Sequence, residues 1–132
     1  MGTRSLTFVY DGGKNSEPIL NMYRQFDGYI SGHGTELAEL LISGEMVNGI
    51  PIGEDQLFFN GMGDLAAQIV ANFKKGSGGI YIYPISYADC GQEYEYHVYE
   101  DRVVVKNPSE VIFDGDWNEF HSFCYEDEML ED

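Results

Sequence analysis

A chain of 132 residues can bury roughly two thirds of the surface it exposes when unfolded, which predicts one domain over residues 1–132 with a core of its own. A composition that is 43% hydrophobic and 14% aromatic excludes a disordered tail. Twenty-three acids against seven bases, a formal charge of -16, argue against direct binding of DNA or RNA and against a polybasic membrane anchor, since both draw on Lys and Arg.

Residues Ser5 to Tyr10 (SLTFVY) are β-branched and aromatic and predict a strand. Asp11 to Asn15 is a turn signal, and Pro18 to Phe26 predicts a second strand, so the two form a hairpin with a longish loop. A glycine-rich loop follows, Asp27 to Gly34. Thr35 to Ile42 carries Leu37, Leu40 and Leu41 at helical spacing, with Glu36 in the first turn where the helix dipole favours an acid. Residues 45 to 59 fit no single element, because Gly49, Pro51 and Gly53 interrupt them. Asn60 to Asp64 opens a second helix that continues from Leu65 to Lys75, with Lys74 and Lys75 at its cation-favouring end.

Gly76 to Gly79 stops that helix, and the period changes to two. Ile80 to Pro84, Glu93 to Glu100 and Val103 to Lys106 predict strands, and Val111 to Phe113 a further one. Asp116, a good N-cap, leads into an amphipathic helix from Trp117 to Tyr125. The order ββααβββα predicts an α+β fold: an antiparallel sheet of about five strands with two to three helices packed on one face. Two cysteines, Cys90 and Cys124, without C-x-x-C or zinc spacing predict free thiols in a reducing compartment. The chain shows no apolar stretch of signal-peptide length, and Leu6 stands where a myristoylation motif needs Ser or Thr. These features predict a soluble cytoplasmic protein with no membrane contact.

Four features carry candidate chemistry. The first is a pair of G-x-G helix starts, Gly32-His33-Gly34 and Gly61-Met62-Gly63 with Asn60 ahead of it. Glycine lets a backbone approach a ligand, and a helix N-terminus attracts anions. The competing reading is that these glycines are turns and caps. The second is the segment from Tyr23 to His33. Arg24 can clamp a phosphate or carboxylate, Gln25 and Asp27 add polar groups, Tyr29 can stack on a flat ring, and His33 can act as acid or base. Against this, Arg24 can simply pair with an acid and His33 can be a turn residue; a hydrolase using His33 and Asp27 lacks a complete catalytic set. The third is Asp114-Gly115-Asp116 with Asn118, whose glycine at the second position breaks the calcium-loop order, so no metal site and no cofactor are expected.

The fourth feature is the distribution of charge. After Lys106 there is no Lys or Arg, while Glu110, Asp114, Asp116, Glu119, Glu126, Asp127, Glu128, Glu131 and Asp132 follow. The alternation of Glu93 and Glu95 with Tyr94 and Tyr96 puts carboxylates on one face of a strand and rings on the other. If strand and helix lie close, Glu93, Glu95, Asp114, Asp116, Glu119, Glu126, Asp127 and Glu128 make one negative field, which speeds association with a basic partner. Solubility alone is the competing explanation, although it asks only for a net charge of about 2 to 8 in a small domain.

The segments MYRQFDGY (22–29), GHGTELA (32–38), FNGMG (59–63) and GIYIYP (79–84) resemble a family of small proteins of bacteriophages, other microbial viruses and some bacterial genomes, over about Thr3 to Phe123. The family has no established activity, so the resemblance assigns no functional residue. It implies an accessory protein working in a host cytoplasm. By analogy with small acidic phage proteins, it suggests an inhibitor of a host defence or nucleic-acid-handling protein. The expected function is therefore non-enzymatic binding of a basic host protein, such as a nuclease or CRISPR effector, by nucleic-acid mimicry. The alternative is a protein that binds and sequesters a nucleotide or small anion through Arg24, Tyr29, His33, Gly34, Gly61 and Gly63.

Overall fold

The structure, a computed structural model, describes residues 2–13, 15–47 and 57–130. Six strands form one sheet: β1 (Ser5–Tyr10), β2 (Pro18–Arg24), β5 (Ile80–Ile82), β6 (Tyr94–Val98), β7 (Val103–Lys106) and β8 (Val111–Gly115). Their order across the sheet is β5-β2-β1-β6-β7-β8. Three helices, α1 (Thr35–Ser43), α2 (Gly61–Phe73) and α3 (Trp117–Leu130), complete the α+β fold, with a π-helical turn at Ile30–Gly34 leading into α1.

The sheet departs from the expected pattern at its centre. β1 and β6 run parallel, Thr7 opposite Tyr96 and Val9 opposite Val98, while every other neighbouring pair in this sheet is antiparallel. Parallel neighbours require a crossover connection. Here the connection is the long stretch between β5 and β6. β5 is antiparallel to β2 and so points the same way as β1; residues 83–93 then carry the chain back to the starting end of the sheet. The Asn21 amide anchors this stretch, donating to Pro84 O at 2.9 Å and Tyr87 O at 2.7 Å.

A second departure lies in the segment the sequence left open. Gly44–Val47 (β3) and Leu57–Asn60 (β4) pair in parallel as a separate two-stranded sheet. Gly49, Pro51 and Gly53 lie outside the described residues. The glycine loop closes as the π-helical turn rather than staying irregular, and α2 ends at Phe73, where Lys74 turns extended.

All six residues of β1 are buried, which requires cover on both faces of the sheet. On one face Val9, Met22, Tyr96, Val98, Val103 and Val105 pack against Leu37 and Leu41 of α1, Leu65 and Ile69 of α2, and Phe120 and Cys124 of α3. On the other face Leu6, Phe8, Tyr10, Tyr23, Tyr99 and Val104 form a smaller core, closed by Tyr83 and Cys90 from the crossover stretch. The helices thus share one face, and a loop covers the other. Cys90 and Cys124 are free thiols on opposite sides of the sheet. Among the described residues no helix is long and apolar enough to cross a membrane.

Candidate functional site

Arg24 ends β2 and His33 sits in the π-helical turn, and the fold brings their side chains together. Ser5, Thr7 and Val9 alternate toward the helices, so Thr7 Oγ1 meets His33 Nε2 at 2.7 Å. Arg24 Nη1 lies 3.3 Å from His33 Nδ1 and donates to Glu36 Oε2 at 2.9 Å. A guanidinium only donates, so Nδ1 accepts; the ring proton is on Nε2, which donates to Thr7. His33 is fully buried between the rings of Phe73 and Tyr96, whose centroids lie at 4.5 and 4.8 Å. Burial, and then the neighbouring Arg24 charge, hold its pKa down to about 3. The imidazole is neutral and closed to solvent, and its work is to fix the guanidinium.

The other residues proposed for this loop do not converge on His33. Asp27 is exposed and reaches it only through its backbone carbonyl, which accepts from His33 N at 2.9 Å. Gln25 and Tyr29 are exposed, and Gln25 N donates to Gly79 O at 2.8 Å. Gly34 serves packing: a Cβ there would lie 3.2 Å from Cys124 Sγ and 3.4 Å from the Tyr96 ring. Asn60, Gly61 and Gly63 lie at the start of α2, whereas Phe73, which touches His33, ends it. At 1.5 Å per residue the two groups stand about 18 Å apart along the helix. A single ligand loop made from both G-x-G segments is therefore not assembled.

The acids divide between the two sides of the sheet. Glu95 and Asp114 project on the loop-covered face, opposite Leu6 and Val104 in register. There Asp114 pairs with Arg102. α3 packs on the other face, with Asp116 and Glu119 spent on its first turn: Glu119 N donates to Asp116 Oδ1 at 2.8 Å and Asp116 N to Glu119 Oε1 at 2.9 Å. This reciprocal pair satisfies two backbone donors. Glu93 is exposed just before β6, while Glu126 is exposed and Asp127 half-buried on α3. Glu128 lies on the same helix. Glu95 and Asp114 thus lie on the sheet face opposite the one that α3 covers.

One buried polar chain was not read from the sequence. His97 Nε2 lies 3.0 Å from Glu95 Oε1, and its Nδ1 lies 2.7 Å from the Tyr10 hydroxyl. Gln92 Nε2 donates to Glu95 Oε2 at 3.0 Å. The bond from His97, with help from Gln92 and against burial, holds the Glu95 carboxyl below its ordinary range. Burial first, and then Tyr99, push the Tyr10 hydroxyl up. Phe8 stacks on His97 at 4.9 Å and Tyr99 on Tyr10 at 4.4 Å. The spacing of Glu95 and His97, two apart on one strand face, was the available signal; Tyr10 comes from a strand far away in sequence. With Tyr10 and His97 both 8% exposed, the chain satisfies buried polar groups under the loop rather than presenting a base to substrate.

The fold and these sites define an α+β protein whose two histidine networks are internal and whose described surface is dominated by acids. Comparison of the chain with protein-family models, curated proteins and solved structures finds no match.

Proposed function

We propose that the protein is a non-enzymatic binding protein that engages a basic partner through the outward face of α3. The observation that carries this reading is the make-up of that face. Tyr125 and Met129, one turn apart, are 58% and 59% exposed, and they share α3 with the exposed Glu126 in a stretch without Lys or Arg. Exposed aromatic and Met side chains are the residues that anchor interface centres, and surrounding carboxylates steer a cationic surface toward them. The buried state of His33 and His97 supports binding over turnover.

Resemblance to the phage protein family and the overall charge support a nucleic-acid-handling host protein as the partner, with the acidic helix occupying its phosphate-binding groove. The test is interferometry against a panel of purified basic nucleases and RNA-guided nucleases, each free and loaded with its nucleic acid. The expected result is binding to a free enzyme that loaded enzyme resists, with association slowed roughly tenfold by Glu126→Lys plus Glu128→Lys. Tyr125→Ala should act mainly on dissociation. Failure to bind any free enzyme, or equal binding to loaded and free forms, overturns the reading.

A further inference from the structure

Three of the seven bases, Arg24, Lys74 and Lys75, gather where β2 ends, α2 ends and the chain bends through Gly76–Gly79 into β5. Between them is a cavity of about 200 Å³ whose walls include Arg24, Lys75, Ser77, Gly79, Phe26 and Phe73. The three bases have different roles. Lys74 shapes the bend, its Nζ donating to Gly78 O at 3.1 Å and Ile80 O at 2.9 Å. Arg24 is preorganised: its side chain is only 12% exposed, its guanidinium lies 5.5 Å from the Phe73 ring centroid, and Nη1 is held by His33 and Glu36. Both of these bonds use Nη1; a guanidinium carries further donors on Nε and Nη2, and the Arg24 side chain lines the cavity. Lys75 is exposed at the wall, with Ser77 beside it.

Gly78 and Gly79 have φ of +74° and +76°, so the bend needs glycine and leaves that wall without side chains. Over it lies Phe26, 49% exposed, with its ring 3.5 Å from where a Cβ on Gly79 would sit. A fixed guanidinium fork, an ammonium and a hydroxyl around one small space suit a phosphate group. A half-exposed ring at its mouth suits a flat base. The cavity is smaller than the roughly 300–1,000 Å³ that engulfs a drug-sized ligand, so it takes the phosphate and leaves the nucleoside on the rim.

We propose that this cavity binds a nucleoside monophosphate, with the phosphate between Arg24 and Lys75 and the base against Phe26. The site is independent of the α3 face and stands whether or not a basic partner exists. It is tested by calorimetric titration of the full chain with AMP, inorganic phosphate and adenosine. AMP should saturate one site, Lys75→Glu and Phe26→Ala should each weaken it by about tenfold or more, and Lys106→Glu, a base on the loop-covered face, should leave it unchanged. Inorganic phosphate should bind more weakly, respond to Lys75→Glu and ignore Phe26→Ala. No saturable AMP binding by the folded wild-type chain, equal loss in Lys106→Glu, or adenosine binding as tightly as AMP would each overturn the proposal. Lys75 is exposed, so its variant stays informative even if Phe26→Ala perturbs folding.

Discussion

His33 shows how a residue chosen for its chemistry can be used for its shape. Its folded pKa, near 3, lies below the ordinary 6.5, so between those values the unfolded chain binds the extra proton and the folded chain does not. Its contribution is complete above pH 6.5 and is lost as pH falls toward 3, with a slope of at most about 1.4 kcal/mol per pH unit. Urea unfolding of wild type and His33→Gln from neutral pH downward should show the wild type losing stability more steeply; parallel curves would contradict a buried neutral imidazole. Gly34 allows a second check at this scale. Gly34→Ala presses a methyl on Cys124 Sγ and should cost about 1–3 kcal/mol, and Cys124→Ala should recover part of that in the double variant. Strict additivity would mean the two do not touch. The Cys124 thiol itself, pushed up to about 12 by burial, stays protonated and unreactive.

α3 combines local and tertiary determinants. Asp116→Ala removes the cap acceptor and should lower stability by about 1 kcal/mol, whereas Phe120→Ala, fully buried between the sheet and the helices, should cost about 3–5 kcal/mol; equal losses in thermal or urea unfolding would mean the helix is not seated as described. The cap was legible because Asp116 and the apolar spacing after it are local signals. β1 was legible for the same reason, as were α1 and α2 to within a few residues at their ends. β3 and β4 were not, since four-residue strands are too short to carry a period, and Gly49, Pro51 and Gly53 between them read only as breaks. The parallel seam between β1 and β6 was also hidden, because it depends on the path of residues 83–93 through space. At the sites, the closeness of Arg24 and His33 could be guessed from one stretch of chain. Their burial could not, nor could the approach of Lys75 and Ser77 from the far end of α2.

At the scale of the whole molecule, the charge of -16 makes association with any basic partner depend on salt, and the association rate should fall steeply from low to physiological ionic strength while dissociation changes little. A rate indifferent to salt would place the recognition in the apolar residues of α3 alone. The parallel pairing of β1 with β6 has another consequence, one of timing. β1 precedes β6 by a long stretch of chain: one of its two neighbours is translated some ninety residues later, by the register of Thr7 with Tyr96. Until then Leu6, Phe8 and Val9 lie in the edge strand of a three-stranded half-sheet, β5-β2-β1, whose side toward β6 is unpaired, and an unpaired edge is a site of mispairing. Such distant pairing slows folding. A nascent chain arrested before β6 should remain protease-sensitive on the ribosome, and protection should arrive in one step once β6 and β7 have emerged.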